Sequence, residues 1–170
     1  MKTVAIVLLT FYLTTTCFSQ KDNSKSWLRQ KFETADSILI TSHKPTAGFG
    51  LVDSLGNEVP LPKLIDGNKL NNKIVKERKF ITGKAVDKLV TILDKPFKDR
   101  IISKGGCFIP RQTIFIFKSN KIDYIDLCFH CSNFETSKAL SRLYEFDKKK
   151  WSKLETFFIN QGLTYELIQE

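Results

Sequence analysis

Histidine is nearly absent from the chain: of 170 residues only His43 and His130 carry an imidazole. Neither stands in a nucleophile elbow or another recognisable catalytic setting, so a serine–histidine–aspartate site has no evident base. Phosphate loops are missing as well, because Gly105-Gly106 is not followed by Gly-Lys-Ser/Thr. A calcium loop starts at Asp66 and Asn68, but the chain continues with Lys69 and Leu70 and never supplies the terminal Glu. Acidic residues are scattered, and nothing in their spacing selects a pair for general acid–base work. The chain has no apolar run of 18 residues, which excludes a spanning helix. It has no internal repeat and no low-complexity linker. The sequence therefore names no catalytic residue and no cofactor, and the reading taken here is non-enzymatic.

What is present is a Phe-rich, lysine-rich globular composition. Fourteen Phe and 42% hydrophobic residues are enough to build one core, and 26% charged residues are ordinary for a folded domain. The formal charge is +9. The lysines are dispersed, with Lys148-Lys149-Lys150 as the one triplet, and no reader motif or aromatic-basic platform accompanies them. This is a solvated surface rather than a specific nucleic-acid interface, and no ligand or partner is named by it.

Residues 1–19 have the layout of an export signal: Lys2, an apolar stretch from Val4 to Leu13, and a small polar end. Cleavage after Ser19 would leave Gln20 first, making the protein periplasmic or secreted. The alternative makes Cys17 a lipid-modified N-terminus of an outer-membrane-associated lipoprotein. Thr16 and Thr14 stand where such a site normally has a small residue and a leucine. Residues 20–25 read as a flexible lead, and 26–170 as a single α+β domain.

Within that domain, Ser26 to Phe32 suggests a short helix and Ser37 to His43 a first strand, β-branched and apolar. Phe49–Asp53 and Glu58–Leu61 flank a Gly56 turn, and Ile65 to Asn68 is a second turn. Lys73 to Ile81 is a strand. Thr82 is placed to cap a helix reaching Leu93, with Pro96 beyond its end. Residues 97–106 are a loop or short strand. Ile109–Phe117 and Ile122–Cys128 form the strongest hairpin signal. Residues 132–146 are ambiguous, since Ser132 and Glu135 have capping-box spacing followed by weak helix formers. A helix capped by Asp147 runs from Lys148 to Gln161, and Thr164 to Ile168 suggests a closing strand. The architecture expected is a mostly antiparallel sheet with two or three helices packed on one face.

The stretch 104–134 holds Cys107, Cys128, His130, Cys131 and Arg111. Three readings of its cysteines compete. A Cys128–Cys131 redox pair would need a strand before it and a helix after it. A zinc site would recruit Cys107, Cys128, His130 and Cys131, though neighbours 130 and 131 point apart in a strand and an oxidising compartment disfavours thiolates. A structural disulfide fits an exported chain best. With a Ser119-Asn120 turn, Cys107 lies opposite Ser132, beside Cys131; a turn one residue different makes Cys107 face Cys131. In an extended strand, residues three apart are about 10 Å distant, too far to bridge, although local bending at Cys131 would permit it. Cys107–Cys131 is the preferred bridge, with Cys128 as alternative partner of Cys107. Arg111, held behind Pro110, is either a rigid carboxylate or phosphate ligand or a salt-bridge partner of Asp123 or Asp126 across the hairpin; the salt bridge is favoured.

Cys107-Phe-Ile-Pro-Arg111 followed by Leu127-Cys-Phe-His-Cys131 resembles a Cys-x-x-Pro-Arg … Cys-Phe-x-Cys pattern of small exported bacterial proteins without an assigned activity. The likeness covers residues 107–131 only. It implies an exported bacterial domain and adds no catalytic residue. Two functions follow as expectations: a non-enzymatic exported binding or interaction domain stapled by a disulfide in its central hairpin, or a periplasmic thiol-redox or metal-binding protein using Cys107, Cys128, His130 and Cys131.

Overall fold

The computed structural model describes residues 26–47, 51–52, 54–67, 69–96 and 107–168. The export segment, Cys17, the lead at 20–25 and the 97–106 loop lie outside them. Helix α1 (Trp27–Glu33) begins at Ser26, whose hydroxyl accepts the Arg29 N–H at 3.1 Å. Strand β1 (Ser37–His43) follows. Two small hairpins come next, β2 (Leu51–Val52) with β3 (Glu58–Val59) and β4 (Ile65–Asp66) with β5 (Lys69–Leu70). Their turns pass through Gly56 and Gly67 at φ 82° and 60°, a region open to glycine without penalty. Strand β6 (Val75–Ile81) and helix α2 (Lys84–Leu93) complete the first half.

The second half opens with β7 (Gln112–Lys118) and β8 (Lys121–Cys128), joined through Ser119 and Asn120, both at positive φ. That two-residue turn fixes Ile114 opposite Ile125 and Thr113 opposite Asp126, the register expected of it. Strand β9 (Asn133–Thr136), a 3-10 turn (Lys138–Leu140) and helix α3 (Lys148–Asn160) follow. All pairings in the main sheet are antiparallel, in the order β6-β1-β7-β8-β9. The chain is a single α+β domain.

Strand alternation divides the sheet into two faces. Ile38, Ile40, Ile114, Ile116, Ile125 and Leu127 face the three helices and pack on Leu28, Phe32, Leu89, Leu93, Leu154, Phe157 and Phe158. Leu39 and Phe115 face the other way, under Leu64, Ile74 and the β4–β5 hairpin. Each fully buried Leu, Ile or Phe contributes about 1.5–3 kcal/mol, so the helical face dominates stability. One clamp joins α2 to α3. The Lys150 ammonium donates to the carbonyls of Leu93 (2.9 Å) and Lys95 (2.7 Å), which closes the C-terminal end of α2 from the first turn of α3. Asp147 accepts the Lys150 N–H at 2.6 Å and caps α3.

Three local expectations are corrected. Gly83, not Thr82, is the N-cap of α2, because the chain turns there at φ 49°, and no side chain caps the helix. Ser132 is at φ 49° and enters strand β9, so it caps no helix. Residues 164–168 form a turn rather than a strand, since Leu167 and Ile168 donate back to the Thr164 carbonyl.

Candidate functional site

Strand β8 ends at Cys128, and the chain then turns through Phe129 and His130, with Ser132 N–H donating to the Phe129 carbonyl. The bend brings the Cα atoms of Cys128 and Cys131 to 5.4 Å, and these two residues form the disulfide. The expected Cys107–Cys131 bridge is thereby corrected. Its premise was an extended strand through Cys131, and the strand stops three residues earlier. Cys107 is a free, partly exposed cysteine whose Sγ lies 3.2 Å from the Cys131 Sγ. All three sulfurs therefore gather as the sequence suggested, with a different pair bonded. His130 is exposed. Among the described residues no group of three or more His, Cys, Asp or Glu side chains is arranged to hold a metal ion, and two of the four zinc candidates are spent in the bridge.

The turn forms one wall of a cleft of about 960 Å³. Ile109, Arg111 and Gln112 line its floor, and Thr164 to Glu166 with Ile168 form the facing wall. Arg111 is anchored through its backbone, donating to Leu127 (3.2 Å) and accepting from His43 (2.8 Å). Its guanidinium pairs with Glu166, not with Asp123 or Asp126 as the cross-hairpin reading had it. Those two aspartates are engaged elsewhere: Asp123 with Lys31 (2.7 Å) and Ser137 (2.9 Å), Asp126 with Thr113 (2.7 Å).

The facing wall is held by Glu77, which sequence reasoning passed over. Its carboxylate accepts the N–H groups of Thr164 (2.8 Å) and Tyr165 (3.0 Å), and Gln112 donates to the Tyr165 carbonyl (2.9 Å). Burial alone would raise Glu77, but the amides of Tyr165 and Thr164 outweigh it and hold the carboxyl below its ordinary value. The available signal was compositional: Glu77 is the one acid in the otherwise basic run from Lys73 to Ile81.

A polar chain runs from buried His43 through Thr113 to part-buried Asp126. His43 is fully buried, with Nδ1 2.7 Å from the Lys44 carbonyl and Nε2 2.8 Å from the Thr113 hydroxyl, which also meets the Asp126 carboxyl. A carbonyl only accepts, so Nδ1 carries a proton and Nε2 of the neutral ring accepts from Thr113. Thr113 has one proton: it donates to Asp126 when that carboxyl is ionised, and when Asp126 is protonated the acid donates instead, which frees Thr113 to donate to Nε2. Burial pushes His43 down to about 4, with the Arg111 charge adding to it and the Lys44 bond opposing. Burial likewise pushes Asp126 up to about 6, reinforced by the charge of Glu135, which sits opposite it on β9, and opposed by Thr113. Neutral His43 and protonated Asp126 is the arrangement these shifts favour between pH 4 and 6.

Compared with protein-family models, with curated proteins and with solved structures, the chain matches none.

Proposed function

We propose that the protein is an exported, non-enzymatic binding domain whose ligand enters the cleft beside the Cys128–Cys131 turn and presents a carboxylate to Arg111. The observation that carries this reading is the cleft itself. At about 960 Å³ it is in the size range of small-molecule and peptide-end sites. Its lining joins one cation, Arg111, to apolar surface from Ile109, Phe129, Tyr165 and Ile168. The guanidinium is on a backbone fixed from two sides, whereas Glu166 is exposed and sits on a turn at φ 60°. An exposed ion pair of this kind is worth at most about 1 kcal/mol, so a carboxylate with an apolar body displaces Glu166 at little cost and gains the fork geometry of arginine. Binding rather than catalysis is supported by the employment of the two carboxylates in the cleft: Glu77 accepts from the Thr164 and Tyr165 amides and the Thr164 hydroxyl, and Glu166 pairs with Arg111.

Export is supported by the signal-like first 19 residues, the resemblance of the cysteine–proline–arginine pattern to exported bacterial proteins, and a disulfide that persists in oxidising compartments. Intact-mass analysis of the cell-associated and released protein decides its form. An N-terminus at Gln20 supports the secreted or periplasmic protein, and a lipid-modified Cys17 the outer-membrane lipoprotein.

The binding test uses matched pairs of short peptides ending in Phe or Leu, one as the free acid and one as the amide, titrated against the disulfide-intact protein. The acid is expected to bind at least about tenfold more tightly than the amide, Arg111→Met to erase the difference, and Glu166→Gln to tighten the acid. Equal binding of acid and amide, or no binding of either, overturns the proposal.

A further inference from the structure

Cys128 and Cys131 stand in the cleft wall but are only 2% and 4% exposed, so their bridge offers little surface to reagents in solution. Cys107 offers more: it is partly exposed, and its sulfur touches the sulfur of Cys131 at 3.2 Å. A third sulfur in contact with a buried disulfide has the proximity that exchange requires, in which a thiolate attacks one sulfur and expels the other. The structure also prepares the leaving group. The Cys131 N–H donates to the Cys128 Sγ at 3.3 Å, a bond that strengthens when Cys128 carries negative charge.

We propose that Cys107 is the entry point of a thiol–disulfide exchange relay linking the buried Cys128–Cys131 bridge to low-molecular-weight thiols in solution. In the first step the Cys107 thiol gives its proton to solvent and its sulfur attacks the Cys131 Sγ. The Cys107–Cys131 bond forms as the Cys128–Cys131 bond breaks, and Cys128 leaves as a thiolate that then takes up a proton. One disulfide is exchanged for another, so no oxidant or reductant is consumed. In the second step an external thiolate attacks the partly exposed Cys107 sulfur, forming a mixed disulfide and expelling Cys131 as the thiolate. A second external thiolate then attacks the outer sulfur of that mixed disulfide and releases Cys107. Two external thiols are oxidised to one disulfide, and the protein bridge is reduced by the same two electrons. Run backwards, the relay re-forms the buried bridge from an external disulfide. It stands independently of the carboxylate-binding reading, because it uses neither Arg111 nor Glu166.

The test is the rate at which a monothiol, 2-mercaptoethanol, reduces the native protein, followed by acid quenching, alkylation and mass mapping. Cys107→Ser is expected to slow loss of the Cys128–Cys131 bridge by at least about tenfold, because direct attack on the buried sulfurs lacks access. Cys128→Ser is expected to yield a Cys107–Cys131 bridge on air oxidation, with circular dichroism confirming that it folds. Wild-type reduction kinetics in Cys107→Ser overturn the relay. So do free Cys107 and Cys131 thiols in a folded Cys128→Ser protein; where that variant does not fold, the wild-type and Cys107→Ser rates decide alone.

Discussion

Replacing Asp126 by Asn isolates the buried proton chain. His43 is held near 4 against an ordinary 6.5, so between those values the folded protein binds fewer protons than the unfolded chain and stability rises with pH. Asp126 is held near 6 against 3.8, so across that range the folded protein binds more protons and stability falls as pH rises. Each shift corresponds to about 3 kcal/mol, with opposite signs over overlapping windows, so in the wild type the two contributions largely cancel between pH 4 and 6. Asn keeps the shape of the neutral acid and its amide donates to Thr113, which leaves Thr113 free to donate to Nε2 of His43 wherever that ring is neutral, above about pH 4. The variant should match the wild type within about 1 kcal/mol at pH 4. Its advantage should then grow by about 3 kcal/mol by pH 8, where the wild type carries a buried carboxylate. The assay is urea unfolding of the disulfide-intact protein at pH 4, 6 and 8, followed by tryptophan fluorescence, since Trp151 lies in the aromatic cluster with Phe129, Phe134 and Phe146. A stability difference that does not change with pH refutes the proton count.

Two further perturbations test the clamp and the hairpin. Lys150→Met leaves two carbonyls at the end of α2 without their charged donor, and should cost about 2–3 kcal/mol in the same urea assay. Ser119→Gly removes a side chain from a residue at φ 48°, and should raise stability by up to about 1 kcal/mol, read as a higher urea midpoint at unchanged slope.

The elements legible in the sequence are those whose signal is local. Strand β1 is marked by the apolar Ile38-Leu39-Ile40, the β7–β8 hairpin by two stretches rich in β-branched and aromatic residues around a polar dipeptide, and α3 by Asp147 and the stripe of Trp151, Leu154, Phe157 and Phe158. What was not legible depends on partners distant in the chain. Nothing near Thr164 to Ile168 says that the amides of Thr164 and Tyr165 will be taken by Glu77 instead of a neighbouring strand. The cysteine pairing turned on where β8 stops, at Cys128, and on the turn through Phe129 and His130 that follows it, after which Ser132 stands at a positive φ that serine rarely favours. The proton chain was closer to reach. The register of a Ser119-Asn120 turn already sets Thr113 against Asp126, but the arrival of His43 depends on β1 lying beside β7, which no local pattern states.

That placement of β1 governs how the molecule must assemble. The hairpin of β7 and β8 closes across two residues and can form within microseconds. Ile40, by contrast, needs Lys79 on one side and Ile114 on the other, so the interior strand β1 is made early in synthesis and enclosed only after most of the chain has emerged. Folding is therefore set by the closure of long loops, a slow regime in which the apolar run Ile38-Leu39-Ile40 stays uncovered. The disulfide does little to shorten that search. It joins residues three apart, far from the long excursion between β1 and β7, and removes little freedom from the unfolded chain. Reduced and oxidised protein should share nearly the same route to enclosing β1, and the bridge is free to change its partner without undoing the sheet.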